Sequence, residues 1–272
     1  MKHNSFDIVV IGGGHAGIEA ALIADHYELS VLLITMDPKA VGRMSCNPAI
    51  GGLAKGQIVR EIDVLGGLMA SLADKAGLQF KTLNKKKGRA VWSPRAQIDK
   101  RYYEKLVVKT LDISNVVVLS GEVVSLLYNG TAIGGVVLRD ETKIKCESVI
   151  VTAGTFLSGV IHIGERKIYA GRMGEERSEG LTEHLVSMGF TAGRLKTGTP
   201  PRLVKNTVDW NKMKLALGDK NPTPFSYSTD NFNPPNEPCF TTNSNSLTHG
   251  VIQDNLERSP MFSGEIDGIG PR

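Results

Sequence analysis

The chain has 272 residues, a net charge of +4, 41% hydrophobic and 22% charged residues. That is enough for one large core or two smaller domains of ordinary globular composition. No run approaches the ~20 apolar residues of a membrane span. Cys46, Cys146 and Cys239 lack C-x-x-C spacing and paired histidines, so neither a disulfide framework nor a zinc site is supported. The N-terminal apolar run is too short for a signal peptide, and a reduced, cytoplasmic setting is expected.

Phe6–Ile11 reads as a strand, Gly12-Gly13-Gly14-His15-Ala16-Gly17 as a turn, residues 18–24 as a helix and 29–34 as a second strand. This is G-x-G-x-x-G in the setting that dinucleotide binding needs. Gly12 allows the turn, Gly14 lets a pyrophosphate approach, and Gly17 lets the helix pack tightly. The helix N-terminus offers free N–H groups and partial positive charge. His15 reads as a local contact or a solvent-facing residue, with proton transfer as the minority reading. The acidic residue that holds a ribose in many such folds is replaced by Thr35 or Met36, with Asp37 one step late. The adenosine contact is therefore left open.

Residues 44–52 form a loop rich in Gly, Pro and Asn. It leads to a helix over 54–65 with Ile58, Ile62 and Leu65 on one face, stopped by Gly66-Gly67. A further helix is expected over 97–111, with Ile98, Tyr102 and Leu106 at helical spacing. Strands follow at 116–119, 122–128, 132–139 and 143–152, with Asn129-Gly130 as a hairpin signal. A β-meander returning to the first sheet and ending in Ala153-Gly154 suits a two-dinucleotide flavoprotein. Cys146 reads as packing. Residues 179–188 read as a helix stopped by Gly189, 218–246 as a long loop, and 247–256 as a helix capped by Ser246 or Thr248. The fold class expected is α/β: Rossmann-like FAD/NAD(P)-binding, of the two-dinucleotide type, with an inserted, loop-rich second domain. Residues 1–200 form the incomplete first domain and 201–272 part of the second.

Charge is uneven. Lys81, Lys85, Lys86, Lys87, Arg89, Arg95, Lys100, Arg101, Lys105 and Lys109 are opposed within their stretch only by Asp99 and Glu104. Such a patch suits RNA or a phosphorylated cofactor, and equally a solvated basic face. Cys46, from its residues alone, reads either as a buried structural cysteine or as a nucleophile in a glycine-rich loop. Glu61 and Asp63, two apart on a helix, are not a catalytic pair.

Met44-Ser45-Cys46-Asn47-Pro48-Ala49-Ile50-Gly51-Gly52, Pro94-Arg95-Ala96-Gln97, Gly154-Thr155-Phe156-Leu157-Ser158-Gly159, Lys196-Thr197-Gly198-Thr199-Pro200-Pro201-Arg202 and Arg258-Ser259-Pro260-Met261 join the glycine fingerprint in a pattern along the whole chain. Together they closely resemble the MnmG/GidA family of flavoproteins that modify the tRNA wobble uridine. The resemblance implies FAD, NADH and a folate one-carbon donor, a GTPase partner (MnmE), tRNA as substrate, and a homodimer. It implies addition of a carboxymethylaminomethyl or aminomethyl group at carbon 5 of the uridine. It places FAD on Gly12, Gly13, Gly14, His15, Ala16, Gly17, Val123 and Ser178, and NAD on Gly270, Pro271 and Arg272. Cys46 matches one of two family cysteines proposed to be catalytic. Phosphate contacts to tRNA would come from Lys85, Lys86, Lys87, Arg89, Arg95, Lys100 and Arg101.

The second family cysteine is expected just past Arg272, and the segment that closes the FAD site later still, so the chain reads as a fragment with little turnover of its own. Trp92 stands where many relatives have Arg, and Arg89 where many have Pro. A folate- and FAD-dependent tRNA uridine-5-methyltransferase shares the fingerprint but not the Cys-Asn-Pro-Ala-Ile-Gly-Gly segment. A disulfide reductase would need a redox cysteine pair. A non-catalytic nucleotide- or RNA-binding fragment is the remaining alternative.

Overall fold

A computed structural model describes residues 5–45, 47–198 and 200–266. The chain forms two compact units. One comprises the residues up to Gly154 together with Ala216–Cys239, and the other comprises Thr155–Leu215 with the residues from Phe240 onward.

The first unit is built on β1 (Phe6–Ile11), α1 (His15–His26) and β2 (Val31–Thr35). Val9, Val10, Leu32, Leu33 and Ile34 are almost wholly buried. Such unbroken apolar runs are what a parallel strand covered on both faces requires. Beyond β2 lie β3 (Ala49–Gly51), α2 (Lys55–Val64), α3 (Met69–Ala76), β4 (Gly77–Leu83), β5 (Ser93–Ile98), α4 (Lys100–Asp112) and β6 (Val117–Ser120). Then come β7 (Val123–Tyr128), β8 (Ile133–Leu138) and β9 (Lys143–Val151). The main sheet has the order β6-β2-β1-β9-β8-β7, parallel from β6 to β9 and antiparallel through the meander, with β3-β5-β4 as a separate sheet. Cys146 on β9 is buried, as its packing reading required, and burial pushes its thiol up.

Expectations for the helices at 97–111 and 54–65 are corrected. The helix at 97–111 begins at Lys100, because Ser93–Ile98 is a strand between β3 and β4. Asp99 ends that strand and caps α4, accepting from the N–H groups of Arg101 (3.0 Å) and Tyr102 (3.1 Å). The buried face is then Tyr103, Val107 and Leu111, one residue on from the stripe expected, and Tyr102 is exposed.

Helix α2 buries Gly56 and Val59, while Ile58 is 53% and Leu65 75% exposed. The cause is local: a Cβ at Gly56 would lie 2.5 Å from the Pro94 carbonyl, so the glycine side of the helix faces the sheet. Its end is as read, with Gly66 at φ +92° and the Gly67 N–H bonded to the Ile62 carbonyl at 2.8 Å.

Helix α3 and strand β4 were not anticipated, although Met69, Leu72, Ala73 and Ala76 do carry helical spacing and are buried. Glu19 of α1 fixes the start of α3 by accepting from Leu68 (2.9 Å) and Met69 (2.6 Å) N–H groups.

The segment 216–239 has little regular structure, yet it is pinned to the first unit. Asp74 accepts from the Phe225 N–H (2.7 Å), the Ser226 N–H (2.9 Å) and the Thr229 hydroxyl (2.7 Å). Asp63 accepts from the Tyr227 N–H (2.8 Å), Arg60 donates to the Pro224 carbonyl (2.8 Å), and the Gln79 amide donates to the carbonyls of Ala216 and Glu237. Phe225 is 1% exposed and belongs to the main core.

The second unit holds the antiparallel pair β10 (Ile161–Ile163) and β11 (Arg166–Ile168), then α5 (Leu181–Ser187). Strands β12 (Lys214–Ala216) and β13 (Cys239–Thr241) pair with each other, and α6 (Ser246–Gln253) follows. Asn245 caps α6 through the Thr248 N–H (3.0 Å), so neither Ser246 nor Thr248 is the cap. Among the described residues no helix is long and apolar enough to cross a membrane.

Truncating the ring of the pinned segment tests its place in the core. Phe225→Ala should cost about 3–5 kcal/mol of unfolding free energy. Loss of the exposed Tyr227 ring, which lies 5.4 Å from the Arg60 guanidinium, should cost about 1 kcal/mol or less. Urea denaturation of the two variants reads the difference.

Candidate functional site

The parallel strands β2, β1 and β9 end together, and the chain turns over those ends. Gly12 N–H bonds the Ile34 carbonyl (2.8 Å) and Thr152 N–H bonds the Ile11 carbonyl (2.8 Å). The Thr152 hydroxyl bridges the Ile11 (2.8 Å) and Gly12 (3.1 Å) carbonyls, stitching the glycine turn to the end of β9. Nothing in the sequence marked Thr152 beyond its place at a strand end.

The three fingerprint glycines do different work. Gly12 sits at φ +107°, and a Cβ there would lie 2.5 Å from the Thr152 carbonyl oxygen. At Gly17 a Cβ would lie 1.9 Å from the Gly12 carbonyl oxygen. Both are demanded by the protein's own backbone. Gly14 is exposed, its φ of −75° is open to any residue, and a Cβ there would meet nothing within 4 Å. It is the N-cap of α1, and no side chain caps the helix. The N–H groups of the first turn, at His15, Ala16 and Gly17, lack intrahelical acceptors and carry the positive end of the dipole. An uncapped helix start of this kind has the chemistry to receive an anion. Gly154, after β9, is at φ +64° and likewise has open space.

His15 is mostly buried. Its ring meets Tyr103 edge-on with centroids 5.6 Å apart, and its Nδ1 is buried without a hydrogen-bond partner among the described residues. Burial, aided by the Lys55 cation, pushes its pKa down to about 4, so the imidazole is neutral at physiological pH. Burial raises the Tyr103 hydroxyl too, with the Glu19 carboxylate adding to it. The reading of His15 as a local contact holds, and the solvent-facing alternative does not.

Asp37 accepts from the Lys39 N–H (2.9 Å) and lies 3.8 Å from Arg43, so its carboxylate is engaged locally. The loop after β2 is anchored on both sides. Gly42 N–H bonds the Gly13 carbonyl (2.9 Å), while Val41, Met44 and Ile50 are buried. Cys46 itself lies outside the described residues, as do Gly270, Pro271 and Arg272.

Val123 is buried at the start of β7, two residues after Gly121, whose N–H bonds the Thr35 carbonyl (3.0 Å) at the end of β2. Ser178 lies in the second unit, buried and bridged to Leu157, with its N–H on the Phe156 carbonyl (3.0 Å).

The basic residues are spread over the β4–β5 loop, β5 and the first turn of α4. Lys85 pairs with Asp219 at 2.7 Å, and Lys86, Lys87 and Arg89 are exposed in the β4–β5 loop. Arg95 is part-buried on β5 with its Nε unpartnered among the described residues, and Lys100 and Arg101 open α4. No group of three or more His, Cys, Asp or Glu among the described residues is placed to hold a metal.

A parallel sheet with a glycine turn and an uncapped helix start at its carboxyl edge defines a dinucleotide-binding protein of the Rossmann-like class. The family model for glucose inhibited division protein A matches residues 7–272, and the chain belongs to that family. It is 47% identical over its full length to the tRNA uridine 5-carboxymethylaminomethyl modification enzyme MnmG of Thermodesulfovibrio yellowstonii, of which it covers 44%. It is 49% identical to the MnmG of a Nitratiruptor species, over 98% of this chain and 43% of the relative. The form I crystal structure of Aquifex aeolicus GidA superposes with a TM-score of 0.90 at 44% identity, over 98% of this chain and 46% of that one. The chain thus spans less than half the length of the relatives it matches.

The neutral His15 makes a pH prediction. Because its folded pKa lies below the unfolded value of 6.5, the unfolded chain takes up the proton first on acidification. Stability is therefore lost as pH falls from about 6.5 towards 4. His15→Asn should remove that component, on the order of 3 kcal/mol at its full extent. Denaturation of the flavin-free protein at several pH values should show a shallower acid slope for the variant.

Proposed function

We propose that this chain is the FAD-holding portion of a flavoenzyme that modifies the wobble uridine of tRNA at carbon 5. The observation that carries the reading is Gly14, which faces open space at an uncapped helix start. Its two companion glycines are consumed by backbone packing. The names of the relatives supply the substrate.

Gly12–Gly17 would hold the FAD pyrophosphate, with the N–H groups at the start of α1 facing its charge. Val123 and Ser178 would contribute further contacts, and neutral His15 would leave the turn without a second fixed charge. Bound FAD supplies redox chemistry, with NADH as the electron source and Gly270, Pro271 and Arg272 opening the segment that receives it. Cys46 is the nucleophile in this reading. Its thiolate adds to carbon 6 of the uracil, the displaced π electrons make carbon 5 nucleophilic, and carbon 5 attacks the folate-borne methylene iminium, whose C=N electron pair moves onto the folate nitrogen. Loss of the carbon-5 proton then expels the thiolate, and glycine or ammonium replaces the folate nitrogen on the methylene, so that reduced folate leaves. The exposed basic residues steer tRNA phosphates. The GTPase MnmE as partner and a homodimer belong to the same reading.

Two glycine variants separate ligand binding from folding. Gly14→Ala should lower the melting temperature by no more than about a degree or two and abolish the flavin absorption bands that survive desalting after FAD addition. Gly17→Ala should lower the melting temperature by several degrees, because its Cβ would strike the Gly12 carbonyl. Retained flavin in Gly14→Ala would refute the assignment. For the nucleophile, Cys46→Ala in a protein of the relatives' full length should abolish modification of tRNA in a primer-extension or mass-spectrometric assay, with flavin content unchanged.

A further inference from the structure

The β4–β5 loop carries a feature that neither the cofactor cradle nor the core explains. The ladder between these strands ends at Leu83 paired with Ser93, so residues 84–92 project beyond the sheet. The loop is nevertheless rigidly made. Lys87 N–H bonds the Asn84 carbonyl (2.8 Å), the Asn84 amide bonds the Val91 carbonyl (3.2 Å), and the Gln57 amide bonds the Trp92 carbonyl (3.1 Å). Lys85 is tied to Asp219 at its base.

The Trp92 indole N–H is satisfied within the loop by the Lys87 carbonyl (3.1 Å), yet the residue is 37% exposed and lies outside the core cluster. The Arg89 guanidinium lies over one face of the ring, 5.7 Å from its centroid, so a base stacks on the guanidinium plane or on the ring's other face. Lys86 and Lys87 are exposed alongside. A large ring hydrogen-bonded in place with over a third of its surface exposed contributes less to stability than a core tryptophan. A fixed aromatic plane flanked by cations has the chemistry that recognises an unstacked base and its phosphates. A merely acidic protein partner would use the cations and have no need of the ring.

We propose that Trp92 and Arg89 form a stacking platform for an unpaired nucleobase of the RNA substrate, with Lys86 and Lys87 holding the adjacent phosphates. The proposal rests on the reading of the chain as tRNA-binding.

The chain has two tryptophans, so Trp210→Phe leaves Trp92 as the sole indole reporter in the full chain. Its fluorescence should be quenched on titration with an anticodon stem-loop RNA, and not with a fully paired RNA duplex or heparin. Trp92→Leu should weaken stem-loop binding roughly tenfold and Trp92→Phe only about two- to threefold. Lys86→Ala with Lys87→Ala should weaken all three ligands and flatten the salt dependence. Stem-loop binding without quenching, equal quenching by heparin, or full affinity in Trp92→Leu would overturn the platform and leave the tRNA reading intact. Absence of any RNA binding would remove both.

Discussion

The carbonyl of Gly12 is the point on which the first unit depends. It accepts the Thr152 hydroxyl from the end of β9, and it lies where any side chain at Gly17 would have to be. Helix α1 can close on the sheet only because residue 17 has no Cβ, and β9 can meet β1 only because the turn at Gly12 adopts a positive φ. With those contacts made, the N-terminus of α1 stands over the sheet's carboxyl edge with its N–H groups uncapped. The three glycines are thus used differently a few positions apart: Gly12 and Gly17 serve the protein's own packing, and Gly14 faces open space.

The second organising contact is the return of residues 216–239 to the first unit. These residues are rich in proline, asparagine and serine and form almost no ladder of their own. Three acceptors on Asp74 and Asp63 and two donors on Arg60 and Gln79 satisfy their backbone instead. Asp74 bears the cost, since burial raises its carboxyl above the usual range although the bonds from Phe225, Ser226 and Thr229 oppose that rise. Phe225 then fills the core close to Gly51, where a Cβ would lie 2.6 Å from its ring. The strap therefore braces the strand that leaves the loop containing Cys46.

Charge is distributed by task. The start of α1 presents backbone dipoles beside a neutral imidazole, whereas side-chain cations are displayed on the β4–β5 loop and the first turn of α4. A helix dipole acts within its first turn, whereas exposed lysines act over a longer range; salt screens both.

The amino-acid sequence by itself determined the glycine turn, the buried parallel strands, the meander with its Asn129-Gly130 turn and the family. Each is a local pattern that backbone sterics or unbroken hydrophobicity enforces. It also marked the helix stops at Gly66 and Gly189, both of which adopt positive φ. Tertiary structure alone decided which helix faces are buried, because close approach at Gly56 and the cap at Asp99 rotate or shift stripes that periodicity had placed otherwise. It alone sorted the lysines, withdrawing Lys85 into an ion pair with a residue more than a hundred positions away. It alone made His15 neutral, since burial under Tyr103 depends on a helix that sequence spacing could not bring there. Local rules fix the turn, while the charge state and company of each side chain within it come from residues that only folding brings near.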